Sequence, residues 1–107
     1  MCGIARYIGE KIISHQNIDS ALNSMLSRGP DSKSHKKFES GKINIYLLHT
    51  TLSIIDLDPR SNQPFSFDNL HLVFNGEIYN YIEVREKLKS KGYGFDTNSD
   101  TEVLITS

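Results

Sequence analysis

Apolar and polar residues alternate along parts of this chain, and the alternation predicts strands. The period of two that is typical of a half-buried strand occurs at 43–47 and again at 70–74. Two short stretches, 4–9 and 51–57, are rich in apolar and β-branched residues, which also favour strands. The pattern therefore predicts four strands, at 4–9, 42–49, 51–57 and 70–74.

A first amphipathic helix is predicted between the first and second of these strands. Apolar residues recur at helical spacing from 18 to 26, and Asn17 or Asp19 can serve as the N-cap. The turn sequence 28–31, Arg-Gly-Pro-Asp, ends this helix because the residue before a proline is pushed out of the helical conformation.

Two further helices are predicted in the last third of the chain. Residues 81–91 have helical spacing behind Asn80, and Gly92 is the expected stop signal. Residues 99–102, Ser-Asp-Thr-Glu, form a capping box that begins a helix near the last residue, Ser107. A helix of so few turns is marginal alone, so we expect the chain to be part of a longer protein.

Size and charge exclude several classes of function. A chain of 107 residues with a net charge of −1 is at most one domain and has no electrostatic case for binding nucleic acid. The basic cluster at 33–37 is expected to be a solvated loop or an edge strand. We expect no membrane span, no secretory leader and a cytoplasmic location. Because the spacing of the four histidines and the single cysteine is not ligand-like, no metal site is expected.

Cys2 is the first residue with distinctive chemistry. If Met1 is removed, one residue carries both a thiol and an α-amino group of pKa near ~8, which can act as its own general base. The plainer reading is that a small residue at position 2 simply favours removal of the methionine. If Met1 is retained, the Cys2 nitrogen is an amide and cannot act as a base.

Asn75-Gly76 is the second candidate. Asn-Gly is a strong hairpin signal, but the sequence that follows it has helical spacing rather than the alternation of a strand. An asparagine amide and a glycine N–H can instead donate two hydrogen bonds to one oxygen, as a tetrahedral oxyanion requires.

A series of segments resembles, in the same order, the glutaminase domain of glutamine-dependent asparagine synthetases. The segments are Met1–Ile4, Arg28–Asp31, Leu52–Leu57, Asn62–Pro64, Phe74–Asn80 and Ser99–Val103. The resemblance covers the whole chain and implies a class II glutamine amidotransferase of the N-terminal nucleophile hydrolase type. It further implies the α+β class, with an αββα sandwich of two stacked antiparallel sheets between helices, of which residues 1–107 form about the first half.

The resemblance also implies roles for single residues. Cys2 is similar to the nucleophile that attacks the side-chain amide of glutamine and gives a glutamyl thioester, then glutamate and ammonia. Asn75 and Gly76 resemble the oxyanion hole. Asp100 resembles the residue that pairs with the α-amino group of glutamine, and Glu77 is expected on the same side of the pocket.

Thr51 is the one departure from the family pattern. The family has an arginine there, which holds the α-carboxylate of glutamine by a two-point contact. Hydrogen bonds to a charged group contribute about 1.5–3 kcal/mol each, so we expect weaker glutamine binding by one to a few orders of magnitude. Arg28, Asp31 and Asp56 also match family positions and are expected to make scaffold hydrogen bonds.

The implied partners are glutamine and a synthetase domain C-terminal to Ser107. That further domain would use ATP and Mg²⁺, whereas residues 1–107 are expected to need no cofactor. Open sheet edges also lead us to expect self-association as a homo-oligomer. Two functions stay open: the ammonia-producing part of an amidotransferase, or a degenerate or truncated non-catalytic domain that serves as an interaction or folding remnant.

Overall fold

A computed structural model describes residues 2–52 and 63–107. The elements in chain order are β1 (Gly3–Gly9), α1 (His15–Ser24), β2 (Ser32–Ser40), β3 (Ile43–Thr51), β4 (Phe65–Phe67), β5 (Leu70–Leu72), α2 (Tyr81–Ser90) and α3 (Asp100–Thr106). These residues therefore form a mixed α+β structure, and the predicted class is confirmed. No helix in the described part of the chain is long and apolar enough to cross a membrane.

An antiparallel sheet in the order β1-β3-β2 forms the centre of the structure. Every second residue of β3 from Asn44 to Leu48 is buried, and so are His49 and Thr50; helix α1 packs against the face that carries Tyr46 and Leu48. Ile18 and Leu22 of α1 complete this core, and burying each of them stabilises the fold by roughly 1.5–3 kcal/mol. Tyr46 also accepts a hydrogen bond from the Ile13 amide at 3.0 Å through its hydroxyl oxygen.

Helix α1 begins earlier than the apolar pattern predicts. Ser14 is its N-cap, and the Ser14 side chain accepts a hydrogen bond from the Asn17 amide at 3.2 Å. The prediction of Asn17 or Asp19 as the cap is therefore wrong. The first turn of α1 buries no apolar side chain, so the apolar spacing begins one turn after the helix does.

The strands differ from the predictions in two places. The basic segment is strand β2, which lies at an edge of the described sheet, as one of the two alternatives proposed. A separate strand beginning at Thr51 was predicted, and this start is wrong because Thr51 is the last residue of β3. The rest of the predicted strand from residue 53 onward, including Asp56, lies outside the described residues.

The hairpin of β4 and β5 is the main element that the pattern missed. Phe65 pairs with Leu72 and Phe67 with Leu70, and no strand was predicted at 65–67. A strand of three residues is too short to show a period. The predicted strand at 70–74 stops at Leu72, because other side chains bind both main-chain groups of Phe74.

Helices α2 and α3 lie where they were predicted; the predicted N-cap at Ser99 is confirmed, and the predicted N-cap at Asn80 makes no side-chain bond. Asn80 precedes α2 without a capping bond from its side chain. Ser99 caps α3 by accepting from the Thr101 amide at 3.1 Å. Glu102 does not complete the capping box; its carboxylate accepts hydrogen bonds from the amides of Asp96 and Thr97, each at 2.8 Å.

Candidate functional site

The start of β1 and the end of β3 lie side by side, because the two strands are antiparallel. Gly3 is paired with Thr50, so the preceding residue, Cys2, reaches the end of β3. The Cys2 Sγ accepts a hydrogen bond from the Leu52 amide at 3.4 Å and lies 3.9 Å from the Leu52 carbonyl oxygen. Cys2 is half-buried and unbridged. The structure thus places the only thiol of the chain directly beside the residue that follows Thr51.

Thr50 fixes the position of β1 next to Cys2. Its side chain is fully buried, accepts a hydrogen bond from the Gly3 amide at 3.2 Å and donates one to the Met25 carbonyl at 3.1 Å. A Cβ atom on Gly3 would lie 2.6 Å from Thr50 Oγ1 and 2.8 Å from Met25 Cβ. Only glycine allows this close approach, which explains why a glycine follows Cys2.

The turn at 28–31 braces the same end of β3. The Asp31 amide donates to the Thr51 carbonyl at 2.9 Å. Gly29 is buried, and a Cβ atom there would collide with the carbonyl carbon and oxygen of Thr50. The turn contributes main-chain contacts here, and the backbone around Thr51 is held from both sides.

Thr51 and His49 share a hydrogen bond on one face of β3. Thr51 Oγ1 lies 3.0 Å from His49 Nδ1, and His49 Nε2 lies 3.4 Å from the carbonyl oxygen of Phe74. His49 is only 1% exposed, and its neighbours across the sheet, Ile4 and Ser34, are uncharged. Burial lowers the pKa of His49, although the bond to Phe74 acts in the opposite direction.

These contacts determine where the proton of His49 lies. A carbonyl oxygen only accepts, so in the neutral ring Nε2 carries the hydrogen and donates it to Phe74. Nδ1 is then the acceptor, and the Thr51 hydroxyl donates to it. Thr51 has one hydroxyl hydrogen, which is therefore committed to His49 rather than available to a carboxylate.

Gln63 binds the other main-chain group of Phe74. Its Oε1 accepts the hydrogen bond of the Phe74 amide, and its Nε2 donates to Thr101 Oγ1 at 3.2 Å. Gln63 is 7% exposed. We call the two side chains of His49 and Gln63, which hold the main chain of Phe74, the Phe74 clamp.

The predicted oxyanion pair directly follows the clamp. Asn75, Gly76 and Glu77 are all exposed, and the phenyl ring of Phe74 lies against Gly76. Asp100 is buried at the start of α3, and its Oδ2 accepts a hydrogen bond from the Ile78 amide at 3.0 Å. Asp100 is thus tied to the segment that carries the pair.

The structure therefore joins the predicted residues through intermediates. Cys2 contacts Leu52, the residue after Thr51, and Thr51 is linked to the residue before Asn75 through His49. Asp100 is linked to the main chain just beyond Gly76. The roles of Cys2, Asn75, Gly76, Thr51, Glu77 and Asp100 stay predictions.

Arg85 is a further buried residue that the sequence did not single out. Its Nη2 donates to the Ser99 carbonyl at 3.2 Å, and its guanidinium lies 5.4 Å from the ring centroid of Tyr81 and 5.6 Å from that of Phe95. Arg85 thereby holds the residue before Asp100. An arginine in an amphipathic helix is ordinarily expected on the solvent side, so its position in the sequence gave no signal.

Comparison with known proteins gives a match over the whole chain. The model of the glutamine amidotransferase domain family matches residues 1–107. Asparagine synthetase [glutamine-hydrolyzing] 1 of Bacillus subtilis (strain 168) is 38% identical over 114 residues, covering 100% of this chain and 17% of the relative. Asparagine synthetase [glutamine-hydrolyzing] 3 of the same strain is 30% identical over 114 residues, covering 100% of this chain and 18% of the relative.

A relative with a different name matches the same region. Amidase chry2 of Gibberella zeae is 33% identical over 119 residues, covering 98% of this chain and 17% of the relative. The chain thus spans less than a fifth of the length of these curated relatives. No solved structure matches it.

Proposed function

Because the chain belongs to the glutamine amidotransferase domain family, we propose that it is the glutamine-hydrolysing, ammonia-producing part of an asparagine synthetase-like protein. The observation that supports this most is the position of the Cys2 thiol beside Leu52, at the strand end that the Phe74 clamp links to Asn75. The 38% identity to an asparagine synthetase over the full chain favours an asparagine synthetase-like protein over other members of the family.

In this proposal Cys2 is the nucleophile. Removal of Met1 frees the Cys2 amine, which takes the thiol proton as the sulfur attacks the side-chain amide carbon of glutamine. A C–S bond forms, and the carbonyl oxygen becomes an oxyanion that accepts hydrogen bonds from the Asn75 side-chain amide and the Gly76 N–H. The proton then passes to the leaving nitrogen, which departs as ammonia. Water hydrolyses the thioester to glutamate and regenerates the thiol.

Asp100 is proposed to bind the α-amino group of the substrate. One of its carboxylate oxygens is held by the Ile78 amide, which fixes the orientation of the group, and the other oxygen would pair with the ammonium. Glu77 is exposed on the same segment and can add a second negative charge. Thr51 is proposed to lie near the α-carboxylate, where it supplies no charge.

The wider assembly is also a proposal. The described sheet and helices would belong to an αββα sandwich that further chain completes, and a synthetase domain would supply ATP and Mg²⁺ chemistry. The ammonia acceptor would be aspartate in an asparagine synthetase and another compound in a relative that aminates a different substrate. The expected homo-oligomer and cytoplasmic location stay predictions.

One observation favours the non-catalytic alternative. The hydroxyl hydrogen of Thr51 is used by His49, and burial keeps that ring neutral, so this pair offers no positive charge to a carboxylate. A domain that has lost glutamine binding in this way would keep its fold and serve only in interactions.

Labelling with a diazoketone analogue of glutamine tests the proposal on the full-length protein. We expect the analogue to add to Cys2, intact-mass analysis to show that Met1 is absent, and Cys2→Ala to abolish both labelling and glutaminase activity while ammonia-dependent synthesis continues. Retained Met1 in active protein, or full glutaminase activity in Cys2→Ala, would contradict the mechanism. A correctly processed protein that neither labels nor hydrolyses glutamine would support the non-catalytic alternative.

A further inference from the structure

We propose that His49 and Gln63 are positioning residues for glutamine hydrolysis: by binding both main-chain groups of Phe74 they fix Asn75 and Gly76 relative to Cys2 and Asp100. This inference rests on the proposed function, and it adds two residues that the sequence did not place in the site.

Among residues 2–52 and 63–107, the side chains that bind the main chain of Phe74 are those of His49 and Gln63. Strand β5 ends at Leu72, so Phe74 lies beyond the last pair of the β4–β5 ladder. Its carbonyl accepts from His49 Nε2, and its amide donates to Gln63 Oε1. Two buried side chains therefore do what a neighbouring strand does elsewhere in the sheet. The next residue in the chain is Asn75, so any movement of Phe74 moves the two donors of the oxyanion pair.

Each side chain of the clamp is itself anchored at a second point. His49 lies in the central strand β3 and accepts the Thr51 hydroxyl hydrogen through Nδ1. Gln63 donates through Nε2 to Thr101, the neighbour of Asp100. The clamp therefore joins the strand end beside Cys2, the segment that carries Asn75, and the start of α3.

Such a link matters for the chemistry because oxyanion donors act only at the right distance. They stabilise the transition state when they lie about 2.7–3.1 Å from the oxyanion, and a misplacement of about 1 Å can reduce the rate about 100-fold. Asn75 and Gly76 are exposed and lie outside any helix or strand, so their own segment does not provide this precision. The Phe74 clamp, whose two side chains are buried, supplies this precision by holding the residue before Asn75.

Two substitutions of His49 separate the two hydrogen bonds of the ring. In His49→Gln the side-chain amide nitrogen can take the place of Nε2, which keeps the bond to Phe74 and loses the bond to Thr51. In His49→Asn the shorter amide takes the place of Nδ1, which keeps the bond to Thr51 and loses the bond to Phe74. The two variants are matched in polarity and differ in which contact survives.

Steady-state kinetics of the full-length protein give the first readout. We expect His49→Asn to lower kcat for glutamine hydrolysis about 100-fold with a smaller change in KM, and His49→Gln to lose at least tenfold less. Gln63→Met, which removes both hydrogen bonds of Gln63, should behave like His49→Asn. Ammonia-dependent synthesis should be equal in all variants, which shows that the rest of the protein is intact. Equal losses of kcat in the two His49 variants, or a kcat for His49→Asn within threefold of the parent, would overturn the inference.

Hydrogen exchange of the 74–78 segment gives a second readout that needs no activity. Exchange should be faster in His49→Asn than in His49→Gln and the parent; unchanged exchange would overturn the clamp whether or not glutamine is hydrolysed. Faster exchange together with parental kcat would overturn the positioning role alone. Full hydrolysis by Cys2→Ala would instead contradict the proposed function, so the two failures are distinguishable.

Discussion

Replacing Glu102 by glutamine should release the loop that precedes α3. Glu102 is buried, and its Oε1 accepts from the Asp96 amide while its Oε2 accepts from the Thr97 amide, each at 2.8 Å. The Thr97 hydroxyl adds a third bond to Oε2, at 2.6 Å. A carboxamide has only one acceptor oxygen. In either orientation of the new side chain, one of the two backbone N–H groups would face an NH₂ group.

The magnitude follows from these contacts. A buried N–H without an acceptor costs about 1–3 kcal/mol, and the change of the remaining bonds from charge-assisted to neutral costs about 1 kcal/mol more. We therefore expect the loop to lose about 2–4 kcal/mol of stability. At about 1.4 kcal/mol for each factor of ten, the amides of Asp96 and Thr97 should exchange about 30-fold to 1,000-fold faster.

Hydrogen exchange of the full-length protein, followed by mass spectrometry, measures this change. Glu86→Gln is the matched control, because Glu86 is exposed on α2 and its ion pair with Lys89, at 3.3 Å, spans one helical turn. Exposed pairs contribute about 0.2–1 kcal/mol, so the control should change local exchange less than about fivefold. Equal exchange of the 96–97 amides in the two variants would refute the conclusion that Glu102 anchors this loop.

Three further results are expected. Stability should fall as the pH drops below 6.5, the ordinary pKa of histidine, because the pKa of His49 is lowered in the folded state and the unfolded chain takes up the proton first. Unfolding midpoints measured between about pH 7.5 and about pH 5 should fall less in His49→Gln than in the parent. Gly29→Ala should destabilise the protein by about 1–3 kcal/mol in urea titrations, since the new Cβ meets the Thr50 backbone, whereas Gly94→Ala, where that Cβ meets nothing within 4 Å, should be nearly neutral. Thr51→Arg should lower KM for glutamine with little change in kcat, because a carboxylate contact acts equally in ground and transition states. Thr51→Val is the control and should leave KM unchanged. An unchanged KM in Thr51→Arg would contradict the assigned pocket.

The sequence was informative where one local pattern determines the structure. Strands β1 and β3 and helix α2 lie close to their predicted positions, since burial in β1, in most of β3 and in α2 follows a period of two or 3.6 residues, and α3 begins where its capping sequence predicts. It was uninformative where a short element depends on a distant partner. Strand β4 is defined by its pairing with β5, and the cap of α1 lies one turn before the first buried apolar residue of that helix.

The candidate site shows the same division. Cys2, Asn75, Gly76 and Asp100 were predicted from motifs and from the resemblance, and the structure gives hydrogen bonds to Cys2, to Asp100 and to the residue before Asn75. His49 and Gln63 were passed over because a buried polar side chain gives no local signal of what it binds. Their partners lie far away in sequence, and only the folded chain brings them together.

The hydrogen bonds of this network also bear on when the site can form during folding. Cys2 and Leu52 are 50 residues apart, Gln63 and Thr101 are 38 apart, and His49 and Phe74 are 25 apart. Chain entropy opposes the closure of such long loops, and contacts between distant residues form late. The thiol is synthesised first, but its surroundings cannot be complete before residue 101 has left the ribosome. A nascent chain therefore carries Cys2 without its folded surroundings until residue 101 has emerged.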